Sequence, residues 1–173
     1  MAVTAHVFPS FVLASETKTA NVGVSADTIQ VALIASTGGT GNTLAWNSTL
    51  QGATHFSGAA GTGLLGGSGA GTVVEVSGGS YARLSLTGAS QAVADSTTFT
   101  TLTYSGTIQW TAVTFTALYA VFIDNTIGGT DSTNQLICYW DLGGAQSVSG
   151  ANFTLTLGTA NSVSNAIVQW TSS

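Results

Sequence analysis

The stretch "EVSGGSYARLSLTG" places Glu75 and Arg83 on either side of Gly78 and Gly79. Arg83 is one of two basic residues in the chain; the other is Lys18. A carboxylate beside a guanidinium can hold a polar ligand, serve acid–base chemistry, or fasten one backbone segment to another. The glycines predict a β-hairpin turn at Ser77-Gly78-Gly79. A three-residue loop with a left-handed glycine sets Glu75 opposite Arg83, whereas a two-residue Gly-Gly loop sets Glu75 against Ala82 and leaves the charges diagonal. The two charges can meet in either case. Their expected use is strand register, because a slip of one residue would turn the apolar face outward.

Serines and aspartates are plentiful, so spacing rather than residue type must mark any other site. His6 and His55 are far apart in sequence, and no G-x-S-x-G nucleophile string accompanies them. No short His/Cys spacing suggests zinc. Gly61-Thr62-Gly63-Leu64-Leu65-Gly66 matches the G-x-G-x-x-G string, but a dinucleotide site needs a helix opening inside it, and the following "GSGAG" does not support one. "TGGTGNT" lacks the lysine of a phosphate-binding loop. Asp124, Asn125, Asp131 and Asn134 surround a Gly-Gly in "DNTIGGTDSTN"; oxygen ligands in such a loop can bind calcium, and a turn in which Asp and Asn bond their own backbone is the competing explanation. Trp46, Trp110, Trp140 and Trp170 could bind sugar if they formed an exposed row, but they are expected to pack in the core or at a subunit contact, with Trp170 placed to reach a neighbour. Cys138, the single cysteine, lies in the apolar run "LICYW" and is expected to be a buried small hydrophobe. No catalytic, cofactor-binding or metal-binding residue is therefore assigned, and an enzyme is not expected.

Composition narrows the partners. The 173 residues suffice for one domain, residues 1–173, and 44% of them are hydrophobic. Only 5% are charged, with a net charge of −5. Two basic residues cannot neutralise a run of phosphates or form a polybasic membrane patch, so neither nucleic acid nor membrane is an expected partner. No apolar run reaches the roughly 18 to 20 residues of a membrane helix. "MAVTAHVFPSF" has no basic region followed by a sustained apolar stretch, so it is not expected to be a secretory signal. Ser, Thr, Asn, Gln and backbone must supply the polar surface. Such a surface can hydrogen-bond to neighbours at lower desolvation cost than charges, which suits a chain that lives in an assembly.

The elements that must position these residues read as strands. "TIQVALIAS", Thr28 to Ser36, alternates Ile29, Val31 and Leu33 against Ala32 and Ile34. "YARLSLT" separates Ala82, Leu84 and Leu86 from Tyr81, Arg83 and Ser85. "FTALYAVFID" and "QLICYWDL" are apolar on both faces, as central strands are. "NFTLTLG" points Phe153, Leu155 and Leu157 inward, and "NAIVQW" closes the series. A short helix is expected around Pro9 to Ser15, with Pro9 suited to its first turn. The fold class is all-β, an antiparallel β-sandwich or barrel of about eight to ten strands. A Gly-rich loop is expected at about 57–72, mobile over Ser57 to Ala70 in the isolated protein and ordered by contacts in an assembly.

Four stretches carry a resemblance. "EVSGGSYARLSL", "IQWTAVTFTALYAVFID", "LICYWDLGGAQSVSGANFTL" and "ADTIQVALIAS" are similar to strings in a group of small tailed-phage virion proteins, among them "NEV-x-G-G-x-YAR". The likeness runs from about Ala26 to Leu157. The central Gly-rich stretch stands where the group has a more polar connection, and the last residues, about 15 in number, have no counterpart in the group's pattern. The resemblance implies a virion structural protein made in the host cytoplasm. Foremost is a capsid decoration (cement) protein on the outer surface of the head, bound to the major capsid protein and self-associated as a trimer. A neck, tail or fibre component is the alternative, and a carbohydrate-binding module a remote one.

Overall fold

The computed structural model describes residues 4–11, 28–36, 55–57, 63–65, 73–87, 89–93, 99–125, 134–160 and 163–171. These form an all-β structure whose strands, in chain order, are β1 (Thr4–Val7), β2 (Thr28–Ser36), β3 (His55–Ser57), β4 (Gly63–Leu65), β5 (Val74–Glu75), β6 (Leu84–Thr87), β7 (Ser90–Val93), β8 (Phe99–Thr103), β9 (Ile108–Asp124), β10 (Gln135–Leu155), β11 (Gly158–Ala160) and β12 (Val163–Thr171). Residues 9–11 make one helical turn, closed by Phe11 N–H donating to the Phe8 carbonyl at 2.9 Å. The rest of the expected helix, residues 12–15, lies outside the described residues.

The larger sheet has the order β4-β3-β10-β9-β2-β5, with β1 also on β10 and β6 also on β2. The smaller has the order β11-β12-β8-β7. All pairings are antiparallel except β3 with β4. Neither sheet closes on itself, so the architecture is sandwich-like rather than a barrel.

The core lies where the apolar halves of β9 and β10 meet. Residues 117–124 and 136–140 are buried on both faces. On one face Phe122 packs against Trp140, with ring centroids 5.1 Å apart. The Trp140 indole Nε1–H then donates to the Ile167 carbonyl of β12 at 2.9 Å, tying the two sheets together through a buried hydrogen bond. On the other face Tyr139 meets Phe8 and Tyr119. Cys138 is fully buried, and burial pushes its thiol well above the ordinary range, as suits a packing residue.

The remaining halves, residues 108–117 of β9 and 146–155 of β10, continue as a two-stranded ribbon. The expected strand "QLICYWDL" and the first four residues of "NFTLTLG" are two parts of one 21-residue strand, which ends at Leu155. Between them Gly143 (φ 72°) and Gly144 (φ 117°) form a bulge. Asp141 Oδ1 accepts from Gly143 N–H at 2.8 Å, and Gln146 Nε2–H donates to the Leu142 and Gly144 carbonyls. The two left-handed glycines are thus held as a kink inside a strand.

Part of the expected Gly-rich loop is strand. β4 pairs with β3 in the registers His55 with Gly63 and Ser57 with Leu65, and Leu64 is buried in the core. Residues 58–62 and 66–72, with most of the expected mobile stretch, lie outside the described residues.

Candidate functional site

β5 and β6 do not form a hairpin. Both pair with β2, antiparallel to it, end to end along the same edge. Ile34 aligns with Glu75 and Ser36 with Val74, while Val31 aligns with Leu84 and Thr28 with Thr87. They are one edge strand interrupted by an excursion, residues 76–83. The expected register across a Ser77-Gly78-Gly79 hairpin is therefore replaced by a loop whose two ends meet at β2.

The interruption leaves Leu33 of β2 facing a gap in the ladder. A backbone N–H and C=O at such a place need other partners. Val76 N–H donates to the Leu33 carbonyl at 2.8 Å, and Leu33 N–H donates to the Tyr81 hydroxyl at 2.8 Å. The phenol thus stands in for a missing strand residue. Its own O–H donates to Glu75 Oε1 at 3.0 Å. Arg83 completes the cluster with Nε–H to Glu75 Oε1 and Nη2–H to Oε2, both 2.7 Å, a bidentate pair across the neck of the loop. The Glu75 and Arg83 side chains are 18% and 23% exposed, so the pair is partly shielded from water. Burial raises the Tyr81 phenol well above its ordinary range, and the Glu75 charge adds to the shift. Tyr81 therefore remains a proton donor to Glu75.

The far end of the loop rests on the ribbon. Gly78, Gly79 and Ser80 have φ of 73°, 57° and 64°, three successive left-handed residues closed by Tyr81 N–H to the Gly78 carbonyl at 2.9 Å. Thr114 N–H of β9 donates to the Gly79 carbonyl at 3.0 Å. A Cβ on Gly79 would lie 1.9 Å from the Thr114 carbonyl oxygen, so only glycine permits this approach. Beneath the loop, Trp110 Nε1–H donates to the Ala82 carbonyl at 2.7 Å. The Tyr81 ring stacks toward Trp110 (6.4 Å, 24°) and meets Phe115 edge-on at 6.0 Å, and Phe153 joins both.

The opposite face of the ribbon is exposed and uncharged. It carries Thr111, Thr114, Thr116, Ser147, Ser149, Asn152 and Thr154. Thr116 and Ser147 hydroxyls lie 2.8 Å apart, Gln109 Nε2–H donates to Thr154 Oγ1 at 2.7 Å, and Gly150 N–H donates to Thr114 Oγ1 at 2.9 Å. Ala112, left-handed at φ 51°, donates its N–H to Asn152 Oδ1 at 3.2 Å. Four formally charged side chains fall among the described residues: Glu75 and Arg83, paired with each other; Asp124, buried; and Asp141, half-buried and bonded to Gly143. The exposed face of the ribbon carries none of them.

The remaining candidates are not brought together. His6 of β1 is half-buried and stacks on Tyr139 at 4.8 Å. His55 aligns with Gln135 on the same edge of β10, four positions from Tyr139, about 13 Å of strand. Such a separation does not make one site. Trp110 and Trp140 are 3% and 4% exposed and belong to the core, not to a sugar-binding row. Trp46 and the Trp170 side chain lie outside the described residues. Asp124 ends β9 buried, and Asn134 Nδ2–H donates to Asn125 Oδ1 at 2.6 Å across the strand ends. Asp131 and the loop around it lie outside the described residues, and no group of three or more His, Cys, Asp or Glu that could hold a metal ion occurs among the described ones. No helix among them is long and apolar enough to cross a membrane. Sequence reasoning missed Tyr81 as the hub of the cluster. Its position between a Gly-Gly and an arginine was the available signal, but its partner Leu33 is 48 residues away.

Compared with protein-family models, with curated proteins and with solved structures, the chain matches none.

Proposed function

We propose that the chain is a virion structural protein, a capsid decoration protein bound to the outer surface of a tailed-phage head with the major capsid protein as partner. The observation that carries the reading is the exposed ribbon face, rich in hydroxyl and amide groups and free of formal charge. A surface of this kind gives weak long-range steering and weak self-repulsion. It contributes hydrogen bonds and close packing once neighbours are in place, as suits a subunit held in a fixed assembly at high local concentration. The four stretches similar to small phage virion proteins point the same way and supply the identity of the partner. No catalytic role is assigned. The acid–base pair that could have served one is bonded within the protein, where it closes a loop.

Binding to the shell stabilises it by mass action, because a ligand that prefers the assembled state opposes disassembly. The test is stoichiometry. Quantitative mass spectrometry of purified particles, measured against the major capsid protein, should give copies comparable with the number of shell subunits or a simple fraction of it. A few copies per particle would overturn decoration in favour of a neck, tail or fibre position. Absence from the particle would overturn the virion reading itself.

A further inference from the structure

We propose that the outer edge of β10 in the ribbon, residues 146–155, pairs with the same edge of a second copy of this chain, antiparallel about a two-fold axis between Gly150 and Ala151. The contact is read from this chain's own residues and does not depend on the virion reading.

The edge is open where its neighbours are covered. Among the described residues β10 carries β1 on residues 138–141 and β3 at Gln135, while residues 146–155 pair with β9 alone. On the other side of the ribbon, Thr114 of β9 already bonds the loop of residues 76–83. A strand edge presents backbone donors and acceptors that another strand can meet, and proteins commonly block it with charge or proline. The stretch "QSVSGANFTL" holds neither.

The bulge decides which strand can bind. Gly150 is left-handed at φ 60°, and the register with β9 shifts between Val148 and Ala151 and again between Ala151 and Phe153. Val148 is thus aligned with Phe115 and Phe153 with Trp110, whose rings meet on the buried side of the ribbon. In a regular strand, residues 148 and 153 would point to opposite sides, because an odd separation reverses the face. A regular partner would therefore match one half of the edge and fall out of phase with the other. The same strand turned round carries the same shift at the same place and stays in phase throughout.

The side chains agree with this pairing. From Ser147 to Thr154 the exposure reads alike in both directions: Val148 and Phe153 are half-buried, and the six residues around and between them are exposed. About the axis, Ser147 lies opposite the second copy's Thr154, Val148 opposite its Phe153 and Ser149 opposite its Asn152. Hydroxyl meets hydroxyl, apolar meets apolar and polar meets polar. Pairing covers the half-buried Val148 and Phe153, and it joins the uncharged faces of two ribbons into one. A two-fold contact makes pairs, so it is distinct from the trimer that the resemblance implies.

Sedimentation equilibrium of the full chain from about 1 to about 100 μM tests the pairing. We expect a two-chain mass that grows with concentration. Ser147→Lys together with Thr154→Lys sets like charges opposite each other twice and should weaken the pair about tenfold or more. Disulfide formation under mild oxidation reads the register, Cys138 being buried. A mixture of Ser147→Cys and Thr154→Cys chains should cross-link at least about tenfold faster than either alone, because the two positions lie opposite each other while like positions lie about 24 Å apart along the strands. The proposal is overturned if the chain keeps a one-chain mass throughout, if it associates only in threes, if the lysines leave a two-chain species unchanged, or if the mixture cross-links no faster than its components. Should the lysine variant fail to fold, the cysteine mixture decides by itself.

Discussion

Glu75 and Arg83 meet through two 2.7 Å hydrogen bonds across the neck of a loop, not across a hairpin. The pair therefore holds two segments of one interrupted strand in line on β2. Exposed ion pairs contribute about 0–1 kcal/mol, while hydrogen bonds to charged groups contribute about 1.5–3. With both side chains less than a quarter exposed, Arg83→Ala should cost about 1–2 kcal/mol in urea unfolding. Arg83→Lys keeps the charge without the fork and should recover only part of that. Equal stability of the wild type and Arg83→Ala would show that the neck closes without the pair.

Gly79 and Gly78 are both left-handed, yet their substitutions should differ sharply. A Cβ at Gly79 would lie 1.9 Å from the Thr114 carbonyl oxygen, whereas one at Gly78 meets nothing within 4 Å. Gly78→Ala should cost about 1–2 kcal/mol, the left-handed penalty alone. Gly79→Ala adds a backbone clash to that penalty and should cost well over 2 kcal/mol or detach the loop from β9. Chemical denaturation of the two variants, with the Thr114 amide resonance as reporter, checks the contrast. Matching losses would show that the loop moves aside freely.

Ser80 is the non-glycine member of the left-handed run, with φ 64°. Ser80→Gly removes a steric penalty of about 1–2 kcal/mol and adds an unfolded-state entropy cost of roughly 0.5–1. The net expectation is a gain of about 0.5–1 kcal/mol, an uncommon sign for a glycine substitution. A thermal midpoint that falls in Ser80→Gly would mean that the serine hydroxyl makes a contact worth more than the strain.

Much of the strand content is legible in the residues themselves. Alternation marks β2 at Thr28–Ser36 with its observed bounds, and the two-sided apolar runs mark the buried halves of β9 and β10. Phe153, Leu155 and Leu157 pack toward the core, with Thr154 and Thr156 outside. Two features escape local reading because their causes lie elsewhere in the chain. Gly78-Gly79 signals a turn, but whether the flanking segments pair with each other or with a common neighbour depends on β2, more than 40 residues earlier. Gly143-Gly144 also signals a turn, but β9 runs unbroken alongside and Asp141 and Gln146 bind the bulge, so the strand continues. The acid–base pair was visible as a pair. Its role was not, because the gap it spans is defined by Leu33.

Trp140 supplies the buried hydrogen bond between the two sheets, from Nε1–H to the Ile167 carbonyl. Trp140→Phe keeps most of the apolar volume but leaves that carbonyl without the indole donor. An unsatisfied buried acceptor costs about 1–3 kcal/mol, and the smaller ring adds a packing loss. The expected total is about 2–4 kcal/mol, with faster amide exchange at Val168 of the smaller sheet. Unchanged exchange there would separate the sheets energetically and contradict the role given to Trp140.

Two tyrosines make stability fall in alkali. Burial raises the Tyr81 phenol above its ordinary range, with Glu75 adding to the shift and the Leu33 N–H opposing it. Burial also raises Tyr139, helped by Tyr119 and Asp141. The folded state therefore keeps these protons at pH values where the unfolded chain, with tyrosines near 10, has begun to release them. Their stabilising effect is complete below about pH 10 and is lost as pH rises beyond it, by up to about 1.4 kcal/mol per pH unit for each group. Urea unfolding at about pH 9, 10 and 11 should show this decline. Tyr81→Phe should be less stable than the wild type at neutral pH, because Leu33 N–H and Glu75 lose their bridge, yet its stability should fall less steeply in alkali by one titrating group. A wild-type stability that stays level from pH 9 to 11 would mean that both phenols ionise alike in the folded and unfolded chain.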